Sequence, residues 1–299
     1  MHYTVQVYRP PLEAYTPLEA YTPLLEVTYG CSHNACAFCT MYHETKFGIS
    51  PIEDIESDIR EIRDTFPGQV ERIYLLNGDP FMLPTQRLLE IADLIHKYLP
   101  DVKTITSYAS FYNLKDKSVS DMKALREAGY NELWFGVESG DPEVLSWINK
   151  GADLDEYYEG LRKMKAVGMD YFAIVMQGIK GSGKSIENAK ATAEFLNYYP
   201  AKGIFIMSTD VQAGSKLYNM RDRGEFVETT NRENLIEQVT LLENLDVPDD
   251  VLYSSGHMVN LVKVSGHMRK KDEMISKLKY ALASLPSYIL DDKNQGIAR

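Results

Sequence analysis

Cysteine is scarce in this chain. Its 299 residues include three, all between positions 31 and 39. An odd number of thiols this closely spaced suits a metal better than disulfides. Long apolar runs are missing too: nothing approaches the ~18 consecutive apolar residues of a spanning helix. The opening stretch MHYTVQVYRPPLEAYT has no basic segment followed by an apolar one, so no secretory signal is predicted and a cytoplasmic address is expected. Basic residues are outnumbered, 32 Lys and Arg against 43 Asp and Glu, for a net charge of −11. Such a field repels phosphate backbones and anionic lipid, so neither nucleic acid nor a membrane is expected as a partner.

What is present is the composition of a globular protein, 44% hydrophobic and 25% charged. A chain of this size buries about three quarters of its unfolded surface. Residues 11–22, PLEAYTPLEAYT, repeat a six-residue unit once. Two copies cannot build a solenoid, so 1–22 reads as an entry segment.

From position 23 strands and helices alternate. Strands are predicted at 24–30, 71–79, 102–109, 131–140, 169–178 and 202–209. Helices are predicted at 50–66, 84–99, 118–130, 155–168 and 185–199. Strict β/α alternation with buried strands implies a parallel sheet. Six units are too few for the usual eight-unit closed barrel and suit a partial one. The fold class predicted is α/β, a partial (β/α)6 TIM-like barrel over 23–210. Beyond it, helices at 231–245 and 270–285 without clear strands between them suggest a mostly helical extension, 211–299, packed on the barrel.

YGCSHNACAFCTMY, residues 29–42, follows the first strand, where ligand-bearing loops of parallel barrels cluster. Three thiolates without a fourth suit a four-iron cluster with one iron left open, since a saturated electron-transfer cluster takes four. A structural zinc with His33 or His43 as fourth ligand is the alternative, and inert thiols a further one.

Here the sequence resembles the radical S-adenosylmethionine (radical SAM) superfamily. The resemblance implies a [4Fe–4S] cluster on Cys31, Cys36 and Cys39, with SAM chelated to the open iron. It also implies reductive cleavage of SAM to a 5′-deoxyadenosyl radical that abstracts hydrogen from a small-molecule substrate. Such an enzyme is oxygen-sensitive and takes its electron from a donor such as flavodoxin or ferredoxin. The family usually places three residues between its first two cysteines; this chain has four. Phe38 takes the place of an aromatic residue that touches the adenine.

Three later stations extend the resemblance. The turn after the second strand, Asn77, Gly78 and Asp79, stands where the family receives the SAM amine. Glu138 and Lys150 have the separation of a ribose-binding polar residue and a base that pairs with the SAM carboxylate. Ser139 adjoins Glu138, and Ser107 and Tyr108 end the third strand at the same mouth. Taken alone, Ser139 or Asp141 reads as a helix cap and Lys150 as a solvated helix end.

The stretch QGIKGSGKS carries a rival. Gly178, Gly183, Lys184 and Ser185 fit G-x-x-x-x-G-K-[ST] between a strand and a helix, the pattern of a nucleotide-hydrolysing phosphate loop. Such a loop usually follows the first strand of its sheet, whereas this one follows the fifth, where the resemblance expects a glycine turn near the adenine. Candidates to line a substrate pocket are Tyr42, His43, Tyr108, Gln177, Lys180, His257 and Asn260.

Overall fold

The computed structural model describes residues 6–7, 22–66 and 70–293. Most of the predicted entry segment, including nearly all of the hexapeptide duplication, lies outside the described residues. Two compact units divide the chain. One takes the described residues up to Asn34 together with Met41–Phe135 and Glu156–Tyr171; the other takes Ala35–Thr40, Gly136–Asp155 and the residues from Phe172 onward.

In the first unit, β1 (Gln6–Val7) runs antiparallel to β2 (Pro23–Leu25). β3 (Thr28–Tyr29) and β4 (Gly48–Ile49) form an antiparallel pair at the two ends of the cysteine loop. β5 (Arg72–Leu75) lies parallel to β2 and to β6 (Thr104–Ala109), which in turn pairs with the first half of β7 (Glu132–Glu138). The helices are α1 (Ile52–Thr65), α2 (Thr85–Tyr98), α3 (Phe111–Leu114), α4 (Val119–Glu127) and, counting on from α5 below, α6 (Leu154–Val167). α1 buries Ile55, Ile59 and Ile62 along one stripe, the helical spacing that the sequence showed. Ser118 and Asp121 start α4 with a reciprocal capping box.

The second unit holds the end of β7, α5 (Pro142–Trp147), β8 (Asp170–Gln177), α7 (Ser185–Tyr198) and β9 (Gly203–Ser208). After these come α8 (Lys216–Asp222), α9 (Asn231–Asn244), β10 (Leu252–Ser254), β11 (Ser265–His267), α10 (Lys271–Ser284) and α11 (Ser287–Leu290). β8 and β9 pair in parallel from Phe172↔Gly203 to Gln177↔Ser208. The division into units passes through β7 and β8, and the strand order is β1-β2-β5-β6-β7-β8-β9-β10-β11. Tyr171, Ala173, Val175 and Gln177 alternate with Ile174, which keeps some exposure, so the first set forms the fully covered face of β8.

Two expectations change. The first strand, predicted at 24–30, breaks between β2 and β3, because Glu26 and Val27 pair with neither sheet as strand residues. The C-terminal third, expected without clear strands, contributes β10 parallel to β9 and β11 antiparallel to β10. Three-residue strands such as Ser265-Gly266-His267 are too short and polar to show a two-residue alternation. No helix among the described residues is long and apolar enough to cross a membrane.

Candidate cofactor site

In the first unit the turn after β5 is built against Cys31. Gly78 N–H donates to Gly30 O at 3.1 Å. A Cβ on Gly78 would stand 2.6 Å from Cys31 Cβ, so the approach requires glycine. Asn77 has φ 79°, a left-handed conformation that asparagine tolerates better than most residues. Its Nδ2 donates to Thr28 O at 2.7 Å and Glu26 Oε2 at 3.1 Å. Asp79 is buried and accepts from Ser110 Oγ at 2.8 Å, Ser32 Oγ at 3.4 Å and Asn113 Nδ2. Its carboxylate ties the residue after Cys31 to the end of β6. Tyr42 OH reaches Asn77 Oδ1 at 3.5 Å, and Asn34 N–H reaches Cys31 Sγ at 3.5 Å.

The rest of the cysteine loop, Ala35–Thr40, belongs to the second unit and is clamped to the end of α5. Ala37 N–H donates to Ile148 O at 2.7 Å and Asn149 Nδ2 to Ala35 O at 3.0 Å. Leu217 N–H returns a bond to Ala37 O at 2.7 Å, and Thr40 Oγ1 donates to Gln212 Oε1 at 2.6 Å. α5 begins at Asp141, whose Oδ1 accepts from Val144 N–H at 3.1 Å. Past its end, Lys150 Nζ donates to Glu138 Oε1 at 2.6 Å and lies 5.7 Å from the Phe38 ring centre. Burial pushes the Cys36 thiol above its ordinary pKa; the Lys150 ammonium opposes this and the Glu138 carboxylate adds to it. Cys36, Phe38, Glu138 and Lys150 therefore act as one electrostatic group.

Glu138 itself is strained. Its φ is 61°, and Ser139 N–H closes across it onto Val137 O at 2.7 Å. This is a γ-turn with positive φ, a rare and costly form. Ser139 Oγ donates to Asn188 Oδ1 at 2.6 Å and accepts from Asp141 N–H at 2.9 Å. Gly136 leaves the pair its room: a Cβ there would overlap Glu138 Oε1 and stand 2.7 Å from Lys150 Nζ, so both side-chain ends would have to shift.

The phosphate-loop pattern at 178–185 is occupied by the protein's own anions. Gly183 N–H and Ser182 Oγ donate to Glu233 Oε1 at 2.6 and 2.9 Å, and Gly178 N–H donates to Glu237 Oε2 at 2.9 Å. Of the backbone amides that a phosphate would need, those of Gly178 and Gly183 are satisfied from α9, and those of Gly181, Ser182 and Lys184 by the carbonyls of Gly178, Val227 and Gly181. Lys180, expected as a cation for an anionic substrate, is turned inward instead. It contacts Asp141 and Glu187 at 2.5 Å each and Glu143 at 3.7 Å.

Several substrate candidates also have structural employment. Gln177 is buried on the helix-covered face of β8, its Nε2 bonded to Ser208 Oγ at 2.6 Å. Asn260 accepts from Ser208 N–H at 2.8 Å and donates to Ile206 O and Ser255 O at 2.7 and 2.8 Å. Ser107 is buried and donates to the next carbonyl, Tyr108 O, at 2.9 Å. Tyr108 keeps partial exposure and meets Tyr74 edge to face at 5.4 Å. His43 is exposed. His257 is half-buried, and desolvation together with Lys263 holds its imidazole below the ordinary pKa. Gly136, Asn188 and Glu237 were not among the residues predicted from sequence, since a lone glycine and two polar helix positions carry no motif.

The donor chemistry fits an iron–sulfur cluster. All three thiols are half-buried and outside any disulfide. Among the described residues no three His, Cys, Asp or Glu converge as a single ion requires. A four-iron cluster makes a different demand, a separate iron for each thiolate.

An α/β chain of parallel strands with a three-cysteine loop after its first strands belongs to the class of partial barrels that present ligands at strand ends. The chain belongs to the radical SAM superfamily, whose pattern it matches over residues 25–196, more than half its length. With membership come the superfamily's cofactors, a [4Fe–4S] cluster and SAM. The heme chaperone HemW of Bacillus subtilis is 24% identical over 201 residues, 65% of this chain and 52% of the relative. The chain thus spans about half the length of that protein. The fold is shared with methylornithine synthase PylB, at TM-score 0.53 and 18% identity over 76% of this chain and 63% of that one. It is shared as well with the radical SAM methyltransferase TsrM of Kitasatospora setae, solved with cobalamin and a [4Fe–4S] cluster. There the TM-score is 0.53 and the identity 14%, over 65% of this chain and 38% of that one.

Proposed function

We propose that this chain is a cytoplasmic radical SAM enzyme acting on a small-molecule substrate, reduced by a donor of the flavodoxin or ferredoxin type. Residues 23–210 carry the chemistry and 211–299 close over it. Cys31, Cys36 and Cys39 hold the cluster. When bound and reduced, the cluster would supply the one electron for reductive cleavage of SAM, from which the radical chemistry on the substrate would start.

This chain's residues bind and orient. Lys150 pairs with the methionine carboxylate, Glu138 accepts from the ribose hydroxyls, Phe38 faces the adenine, and the Asn77-Gly78-Asp79 turn receives the amine. The observation that carries the reading is the grouping of Glu138, Lys150 and Phe38 with Cys36. Before SAM arrives, Glu138 and Lys150 neutralise each other, so neither is left as an uncompensated charge in a partly buried place. On binding, the two groups exchange this contact for SAM hydroxyls and carboxylate, each a charge-assisted bond. Asp79 serves from behind: its carboxylate is spent on Ser32, Ser110 and Asn113, which fixes the backbone of the amine-binding turn.

Anaerobic purification with iron and sulfide analysis, then dithionite and SAM, tests the proposal. About four irons per chain and release of 5′-deoxyadenosine are expected, both lost in Cys36→Ala. One zinc per chain without SAM cleavage overturns it.

A further inference from the structure

Glu237, on α9 in the C-terminal third, is a fully enclosed carboxylate with no part in the chemistry above. Its Oε1 accepts from Asn188 Nδ2 at 2.7 Å and its Oε2 from Gly178 N–H at 2.9 Å. Asn188 passes the connection on, its Oδ1 accepting from Ser139 Oγ at 2.6 Å. Ser139 is the residue whose N–H closes the γ-turn over Glu138. One helical turn along α7, Thr192 Oγ1 accepts from Gly140 N–H at 3.0 Å, so a single face of α7 grips the whole turn. A continuous buried chain of bonds therefore runs from Glu237 to the strained residue beside Lys150, and a second branch runs to the glycine turn after β8.

We infer that Glu237 and Asn188 are positioning residues for the cofactor turn, and that the charge on Glu237 tunes SAM affinity through Asn188 and Ser139. The inference rests on the reading of Glu138 as a SAM ligand. A strained γ-turn persists only where its surroundings over-determine it, and a carboxylate grips its donors about twice as strongly as a neutral acceptor does. Burial raises the Glu237 carboxyl to about 7, so the charge changes in the physiological range. The titratable groups facing it are Glu233, one turn earlier on α9, which raises it further, and Tyr253 of β10, whose hydroxyl is pushed up by burial and then by Glu237. Gln177 Oε1 and Gln238 Oε1, buried without hydrogen-bond partners, line the same cavity of about 10 Å³ as Glu237.

The test is equilibrium binding of SAM to the reconstituted protein between about pH 6 and pH 8, with thermal midpoints measured in parallel. Glu237→Gln removes the titrating charge and reverses the chain of bonds. Its Oε1 accepts from Gly178 N–H, its Nε2 donates to Asn188 Oδ1, and the turned Asn188 amide donates to Ser139 Oγ, whose own proton gives up Asn188; that change is the same at every pH and leaves the slope comparison intact. Wild-type affinity is expected to fall about threefold to tenfold more steeply on acidification than that of Glu237→Gln. Ionisation of SAM itself is common to both proteins and cancels. Asn188→Ala is expected to weaken binding at both ends of the range. Equal pH slopes for wild type and Glu237→Gln, or unchanged affinity in Asn188→Ala, overturn the inference. A purely structural role would move the thermal midpoints and leave the slopes equal. Glu138→Gln separates the two readings. If it binds SAM as wild type does, the ribose role of Glu138 falls, while a slope difference at Glu237 still reports coupling between α9 and the cofactor turn.

Discussion

Two turns in this chain, after β5 and after β7, put a non-glycine residue at positive φ next to an acidic or amide group: Asn77 at 79° and Glu138 at 61°. They spend their carboxylates in opposite ways. Asp79 faces inward and serves as a hub for three donors. Glu138 keeps its carboxylate beside the cysteine loop, in contact with Lys150, and leaves the holding of its turn to Ser139, Asn188 and Thr192. Motifs of similar appearance thus divide into one whose carboxylate is spent on its own turn and one whose carboxylate pairs with an ammonium twelve residues on.

Substitutions can break that comparison. The largest effect on stability is expected for Asp79→Ala, which takes the shared acceptor from Ser110, Asn113 and Ser32 and removes one of the carboxylates that offset the desolvation of Lys117, a buried ammonium held below its ordinary pKa. A loss of about 4 kcal/mol in urea unfolding is expected. Lys150→Ala should weaken SAM binding roughly tenfold to a hundredfold in equilibrium dialysis, with a smaller cost in stability from the Glu138 carboxylate left without its counter-charge.

Glu237→Gln sharpens the contrast through pH. The folded carboxyl sits near 7 against an ordinary 4.5, so the unfolded chain gives up this proton first. The stabilisation is therefore fully present below about 4.5 and lost as pH rises through about 7. Relative to wild type, Glu237→Gln should gain about 2 kcal/mol of unfolding free energy between about pH 5 and pH 8. Wild type keeps the ionising group at a cost in stability, as expected if the charge serves the site. Ser139→Ala is the mildest, about 1 kcal/mol in stability, with a larger proportional loss in SAM affinity than in thermal midpoint.

Much of the scaffold was legible in the sequence because it is periodic. Ile55, Ile59 and Ile62 announce α1, and Ser118 with Asp121 marks the start of α4. The cysteine loop stood out by its spacing, and Glu138 and Lys150 through the family resemblance that the loop suggested. The inward turn of Lys180, Gln177 and Asp79 did not, because a polar side chain at a strand end is free to point either way until its neighbours are in place. β10 and β11 escaped for another reason: their parallel and antiparallel partners lie far away in sequence or are only three residues long.

By itself the sequence determined the α/β alternation, the cysteine spacing and the superfamily, because these are properties of local pattern. Only the tertiary structure decided which charges are available to a ligand. It filled the glycine turn at 178–185 with Glu233 and Glu237, buried Lys180 among carboxylates, and brought Lys150 to Glu138 and Phe38. The reason is physical: a charge is defined by the dielectric and the partners around it, and those are assembled from residues distant in the chain.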